Sequence, residues 1–568
     1  MFPPSFEPDT RRTVTTDRGA VAHVAHVAHG EVLRRQFIEV RDGVWTFVGN
    51  GLSNQSFLAG PEGIVAIDTG ESIEEMAAAL RELRRVTDAP IAAVLYTHFH
   101  YVEGTEAIFT EANHLDPLPI YGHPRLKENR RRIAGEIAPA YARGVVEQFG
   151  LFMPSEGEDA LVNDGLGLYF SNPAHAPFTP GHRPVTVELR DRQHLTLAGL
   201  EAEIDFAPSD ADDSITVWFP ELGVAVHNLI WPTLFNIYAI RGEEYRDPRV
   251  LIAGIDRLRA HRATFLLGTH GPPLVGADEN AERCERSRDA LQFLWDQTVR
   301  GINAGSTADE LAAEVRLPEL YQVDYLTSER YGIVEHHVRQ IHNGLRGFFD
   351  GEESHLLPLP PLERHDRLIE GFGGKDAVRA AARAALEGDD LRWGTELATW
   401  LVRSSDAELE DRLLLSSCLR TIAQRTASAN LRNWCIARAR HLDGTTPLDR
   451  LYRHRFTARS LEGRSATEVL STLRVLVDPD AAADRSIHLV FVVDGERVGL
   501  HLRRGIAAVT DGHAADVEVT MPREVLEALL CGTTTASQLP GTAEVGIAGD
   551  PHLLAEAMAC FDLEAWKR

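Results

Sequence analysis

The chain has 568 residues, enough for about three to four domains of ordinary size. Hydrophobic residues make up 44% and charged residues 25%, which is globular composition and excludes a disordered or fibrous protein. Asp and Glu number 84 against 58 Lys and Arg, a net charge of −26. That excess argues against nucleic-acid or anionic-membrane binding and favours a soluble enzyme. Cys284, Cys418, Cys435, Cys531 and Cys560 are scattered, with no CxxC pair. They make no disulfide framework and fit a reducing compartment, so a cytoplasmic location is expected. The amino-terminal stretch has no apolar core of a secretory signal, and no apolar run approaches the ~18 residues of a membrane span.

Residues 1–36 read as a polar, irregular arm that includes HVAHVAHGEV, a His-rich stretch expected to pack locally or lie exposed. Strands follow at FIEV, GVWTFVGN, QSFLAG and GIVAIDTG, punctuated by Gly, Pro and Asp. Ile73, Met76, Ala77, Leu80 and Leu83 recur at helical spacing, so a helix is expected from Ile73 to Val86. IAAVLY is a buried strand and PIYGH a short one. Residues 125–150 are expected to be helical. HLTLAGLEAEIDFAP and SITVWFPELGVAVHN read as strands joined by turns, and a helix near 247–262 precedes the strand TFLLGTH. This gives an α/β catalytic domain over 37–276, sheets with helices outside. The strand signal then stops, and amphipathic helices fill an all-α domain over 277–445, broken by the Pro-rich SHLLPLPPLERH. A mixed α/β domain over 450–568 includes SIHLVFVVDGERVGLHL, where Asp494-Gly495 between apolar alternations signals a hairpin.

The segment Tyr96-Thr97-His98-Phe99-His100-Tyr101-Val102-Glu103-Gly104 follows an apolar strand. Two histidines at i and i+2 in a tight loop, with Glu103 beside them, form a plausible half-site for a transition metal. Asp210 in PSDADD, His227 ending GVAVHN and His270 ending TFLLGTH place further donors at strand ends, where a preformed site on a sheet edge requires them.

At these residues the sequence resembles the metallo-β-lactamase superfamily, and within it the type III alkylsulfatases. AIDTG, a helix and YTHFH match the early strands and metal loop of the family, so the resemblance implies that Asp68 supports a ligand from behind. FPELGVAVHN is similar to the segment carrying a bridging carboxylate, and GTHGPP to the final histidine segment. YGIVEHHVRQIHNGLRGFFDG and LLPLPPLE resemble the helical dimerisation domain, which implies a homodimer. Residues 450–568 resemble a sterol-carrier-like domain. The implied architecture is a metallo-β-lactamase αββα sandwich, an all-α dimerisation domain and a C-terminal α/β domain. The implied ligand sets are His98, His100 and Asp210 for one metal, and Glu103, His227 and His270 for a second.

The family motif is HxHxDH, and here Val102 and Glu103 replace its aspartate and last histidine. Valine cannot hold a metal, which puts ordinary sulfate-ester hydrolysis in question and reads as a site retuned from zinc to iron. In this respect the chain is similar to the nonhaem diiron diterpenoid hydroxylases of platensimycin and platencin biosynthesis. The expected function is therefore a diiron monooxygenase, using two Fe(II) ions, O2 and an unidentified electron donor to hydroxylate a large lipophilic terpenoid or acyl substrate in natural-product biosynthesis. The alternatives are a dinuclear Zn2+ alkylsulfatase-type hydrolase and a non-catalytic lipid-binding dimer. Glu103 and Tyr101 are the candidate catalytic residues, and Arg241, Asn228 and Trp231 the candidate substrate-binding residues.

Overall fold

The computed structural model describes residues 12–461 and 463–562. The first eleven residues of the expected arm and the last six of the expected C-terminal domain lie outside the described residues. The chain divides into two compact units, one formed by residues up to Lys127 and Gly144–Pro447, the other by Glu128–Arg143 and residues from Leu448 on.

Two sheets form the centre of the first unit. In the seven-stranded sheet, Gln36–Arg41, Val44–Val48, Gln55–Gly60 and Gly63–Ile67 make an antiparallel meander. Ile91–Leu95, Ile120–Gly122 and Val187–Glu188 then add in parallel. Every residue of Gly63–Ile67 and Ile91–Leu95 is buried, as near-continuous apolar runs require in parallel strands covered on both faces. The six-stranded sheet runs Gln193–Leu197, Leu200–Phe206, Ile215–Phe219, Val224–His227, Phe265–Gly268, Leu274–Val275. It is antiparallel except where Val224–His227 lies parallel to Phe265–Gly268. Val65, Ile67 and Leu95 from one sheet meet Ile204, Val217, Phe219 and Val226 from the other in one apolar core. Removing these side chains from water holds the sheets face to face.

The helix Ile73–Leu83 begins at Ser72, whose Oγ accepts from the Glu75 amide, and carries Glu74 and Glu75 in its first turn and Arg81 in its last. Cap and charges both favour that direction. It stops short of the expected Val86 because the Arg84 amide closes onto the carbonyls of Leu80 and Glu82. The helix Pro248–Ala260 starts at an Asp247 cap with proline in its first turn.

The arm is ordered where it is described. Thr13–Thr15 pairs with Val21–His23, and Val24–Val32 is a helix that buries His26 and His29. The polar composition hid this, because histidines three residues apart fall on one helical face. After the sandwich come helices such as Ala277–Ala304, Val334–Arg346, Leu391–Val402, Leu409–Arg425 and Ala429–Leu442. Val378, Leu397, Leu401, Cys418, Ile422 and Ile436 form a core among them. The Pro-rich break holds the short helix Glu353–Leu356, and Pro361 opens the next one, Pro361–Phe372. None of the described helices is long and apolar enough to cross a membrane.

The second unit contains a five-stranded sheet, ordered Ile506–Thr510, Glu496–Arg503, Ser486–Val493, Val517–Met521, Gly546–Gly549. Asp494 and Gly495 turn its central hairpin with φ of 50° and 89°, the double left-handed conformation of a two-residue turn. Leu489, Phe491, Leu500, Val519, Leu526 and Leu554 form its core.

Candidate metal centre

Strand Ile91–Leu95 delivers Tyr96, Thr97 and His98 to the edge of the sandwich. The loop that follows is tied down by Thr69 N–H to the Tyr101 carbonyl at 2.9 Å and by Glu103 N–H to the Gly70 carbonyl at 3.0 Å. Gly104 has to be glycine, because a Cβ there would run into the Thr69 carbonyl oxygen and the Met76 side chain. The second sheet supplies Asp210 from the turn between Leu200–Phe206 and Ile215–Phe219.

His98, His100 and Asp210 converge: one ligand atom from each lies within 4.8 Å of the others. Asp210 Oδ2 is 2.7 Å from His100 Nδ1 and 3.3 Å from His98 Nε2. The second distance lacks hydrogen-bonding geometry, and His98 Nε2 is buried without a hydrogen-bond partner. That orphaned nitrogen beside a shared carboxylate oxygen is the arrangement a metal ion would complete.

The tautomers agree. Asp68 accepts from the Thr97 amide at 2.8 Å and from Thr97 Oγ1 at 2.7 Å. With its proton committed to Asp68, the Thr97 hydroxyl accepts from His98 Nδ1 at 2.9 Å. The Nε2 lone pair of His98 is thereby left facing Asp210. Burial lowers the His98 pKa from 6.5 to about 4, so the ring is neutral at neutral pH and available as a donor. Burial raises the Asp68 pKa to about 7 against the two Thr97 bonds that lower it.

Behind the other two donors lies a charged shelf from the irregular segment after Trp231. Burial alone would raise the Asp210 pKa, but Arg246 and His100 hold it well below the usual carboxylate range. Arg246 pairs with Asp210 Oδ1, and its Nε donates to the Asp210 carbonyl at 3.0 Å. Oδ2 is thus left for the histidines. Glu243 Oε2 stands 3.2 Å from His100 Nε2 and 3.2 Å from Arg241 Nη2. A carboxylate behind the far nitrogen of a ligating histidine fixes its orientation and raises its basicity. Glu243 and Arg246 went unnoticed in the sequence, where the only signal was the charge-dense run RGEEYR after an apolar stretch.

The second expected ligand set does not gather. Among the described residues no three-donor cluster forms around Glu103, His227 and His270. Val102 is fully buried and apolar. Glu103 is half-buried, and its backbone ties the loop to Gly70 and Gly181. His227 Nδ1 faces the amides of Leu229 and Ile230 at 3.3 and 3.4 Å. Accepting there places the ring proton on Nε2 and removes the lone pair a metal would need. His270 donates from Nδ1 to the Leu52 carbonyl at 3.0 Å, and its Nε2 is 3.5 Å from the Tyr101 hydroxyl. The Tyr101 ring packs edge-on against both His98 and His270, with centroids 5.1 and 5.4 Å away. It fills the space between the first cluster and His270. Burial raises the Tyr101 pKa well above 10, so its hydroxyl remains a donor.

Asn228 Oδ1 accepts from Trp231 Nε1 at 2.9 Å, and Trp231 stacks near Phe235 and Tyr331. Arg241 is nearly buried, its Nη2 3.2 Å from His100 Nε2.

Two facing sheets flanked by helices, with an HxH loop at a strand end and a carboxylate from the opposite sheet, define a protein of the metallo-β-lactamase fold. Residues 307–444 match the alkyl sulfatase dimerisation family and residues 456–565 the alkyl sulfatase C-terminal family. A linear primary-alkylsulfatase of Pseudomonas sp. is 31% identical over 89% of this chain and 98% of its own. The alkyl/aryl-sulfatase of Saccharomyces cerevisiae is 25% identical over 92% of this chain and 82% of its own. The solved structure of a stereoselective inverting sec-alkylsulfatase from Pseudomonas sp. superposes with a TM-score of 0.83 at 24% identity, covering 96% of this chain and 88% of that one. The chain belongs to the alkylsulfatase family.

These relatives overturn the expected O2-dependent diiron monooxygenase. They carry sulfatase names and align over 89% and 92% of the chain, and the described residues bring three donors, not six, to one point. The iron identity of the metals, the O2 co-substrate, the electron donor, and the terpenoid or acyl substrate of natural-product biosynthesis are corrected with it. The sequence reads the departures at Val102 and Glu103 as retuning for iron. In the structure they remove donors from the second position without building a new set there.

Proposed function

We propose that this chain is a metal-dependent hydrolase of alkyl sulfate esters, converting ester and water to an alcohol and hydrogen sulfate at the His98–His100–Asp210 cluster. The observation that carries the reading is the buried three-donor cluster with an orphaned His98 nitrogen, in a chain that aligns with a primary alkylsulfatase over 89% of its length. Two imidazoles and one carboxylate, with no thiolate, suit one zinc ion with a position left open. When bound, zinc supplies Lewis acidity and lowers the pKa of water.

The chain's own residues do the rest. Asp68 and Thr97 fix the His98 tautomer. Arg246 holds Asp210 ionised, and Glu243 orients His100. Arg241 places a guanidinium beside the cluster, where it meets the sulfate group. Trp231, Phe235 and Tyr331 pack as a buried aromatic cluster that supports Asn228 and Arg246 from behind. The molecule acts as a homodimer through its helical region, which matches the dimerisation family.

The test is sulfate release from a linear primary alkyl sulfate by zinc-loaded enzyme. Release that stops on chelation and returns with zinc supports the reading. Release that is indifferent to chelation, or no release from any alkyl sulfate, overturns it.

A further inference from the structure

Among the described residues, the largest fully buried side chain is a charged one, Arg432. It lies in the first turn of the helix Ala429–Leu442, which also buries Asn430 and Asn433. Its Nη2 donates to the Ala160 carbonyl at 3.0 Å and to the Val21 carbonyl at 3.5 Å. Its Nε and Nη1 are buried without a hydrogen-bond partner. His26, on the arm helix Val24–Val32, is also fully buried, with neither ring nitrogen partnered. Of the charged groups that act on that ring, Arg432 acts most strongly, ahead of His29, Arg330 and His23.

The nearby carboxylates are bound elsewhere. Asp159 is the one whose field reaches Arg432. It already accepts from Arg420 Nε and Nη2 at 3.0 and 2.9 Å and from Arg440 Nη1 at 3.4 Å. Asp164 accepts from the Tyr169 amide and from Asn433 Nδ2, at 2.9 and 3.0 Å. Burial pulls the Arg432 pKa down to about 10, against Asp159, so the guanidinium keeps its proton at neutral pH. Burial and then Arg432 hold the His26 pKa well below 6.5, so that ring is neutral and offers one N–H. A buried cation that cannot shed its proton, with two donor nitrogens unpartnered, is stabilised by a counter-ion.

We propose that Arg432 and His26 hold one monoatomic anion, a halide such as chloride, which ties the arm helix to the helix Ala429–Leu442. Water would complete the hydrogen bonds and leave the charge uncompensated. A polyatomic anion would have to enter where neither side chain reaches solvent, and its remaining oxygens would be buried without donors. A halide brings one charge for one guanidinium and accepts N–H groups from any direction. None of these residues belongs to the metal cluster, so the site does not rest on the hydrolase reading.

The experiment uses bromide as the probe. The full chain is purified throughout in sodium bromide and crystallised from it, and anomalous diffraction at the bromine edge locates the ion. The expected result is a peak between Arg432 and His26. In solution, Tm is followed as sodium bromide replaces sodium gluconate at constant ionic strength. The wild type is expected to shift upward by about 1–4 °C and saturate. The shift should vanish in Arg432→Met, which keeps most of the bulk without the charge, and fall at least by half in His26→Phe. Near-ultraviolet circular dichroism establishes that each variant is folded, and the anomalous map needs no variant, so the test stands if both misfold. Density at Arg432 with no anomalous signal, which is water alone, would overturn the proposal. So would a wild-type Tm indifferent to bromide, or a bromide shift retained in folded Arg432→Met.

Discussion

Thr97 decides which nitrogen of His98 faces the cluster. Its hydroxyl donates to Asp68 and so accepts from Nδ1, leaving Nε2 as the donor. Thr97→Val keeps the shape and removes this relay, so zinc affinity is expected to fall by about 10- to 100-fold, measured by competition with a chelator of known affinity. Affinity equal to wild type would show that the relay does not set the tautomer. The HxH pair and Asp210 were legible in the sequence because an apolar strand leads into the one and a polar turn between two strands carries the other. Their sorting was not. His227 ends its strand as expected, yet the next two amides turn toward its Nδ1 and take the lone pair. Glu243 and Arg246 lie in an irregular stretch whose path no periodicity encodes. The misreading of Val102 and Glu103 has the same origin. A sequence shows which donors are present, and only the backbone shows which of them share a point.

At the scale of elements, the fold was read most surely where one physical constraint dominates. Ile91–Leu95 is a strand because five consecutive apolar residues are buried on both faces. Phe219 sits fully buried in the core between the sheets, and Phe219→Ala is expected to cost about 3–5 kcal/mol through the lost burial and the cavity left behind, read from urea unfolding. A loss below about 1 kcal/mol would mean that the sheets close over the gap. The Asp494-Gly495 hairpin was legible because few dipeptides accept two left-handed residues. Gly495→Val places a β-branched side chain at φ 89° and is expected to destabilise the second unit by about 1–2 kcal/mol, with the sandwich transition unmoved. The helix at Val24–Val32 was missed because its apolar face is built partly from histidine, which a hydrophobicity pattern scores as polar.

The whole molecule is expected to be acid-labile and dimeric. His98, His227 and His270 have pKa values lowered by burial from 6.5 to about 4, 3 and 4. In the metal-free protein the unfolded chain therefore takes up these protons first as the pH falls. The stability from these groups is fully present above pH 6.5 and is lost progressively as the pH falls toward 4 and then 3. Asp68, raised from 3.8 to about 7, acts in the opposite sense and favours the fold below its folded pKa. Glu71, Glu75, Asp164 and Glu329 are raised by burial as Asp68 is, while burial also lowers His29, His123, His175 and His337, so the lowered histidines outnumber the raised carboxylates and net loss on acidification is expected. Urea midpoints measured from pH 8 to 4 should fall, and a flat profile would contradict the neutral buried rings. In the region matched to the dimerisation family, Phe348 is 88% and Leu357 91% exposed. They are the candidates for the contact surface that the match to the dimerisation family implies. Phe348→Asp with Leu357→Asp is expected to convert a dimer to a monomer in sedimentation equilibrium, and an unchanged mass would place the interface elsewhere.

The central claim is hydrolysis at a single three-donor centre. It is tested most directly by the rate of sulfate release from a primary alkyl sulfate while zinc is added stepwise to metal-free protein. The rate is expected to rise to a plateau at about one zinc per chain and to be absent in Asp210→Ala at every loading. A rate that continues to climb toward a second equivalent, or that survives in Asp210→Ala, would contradict it.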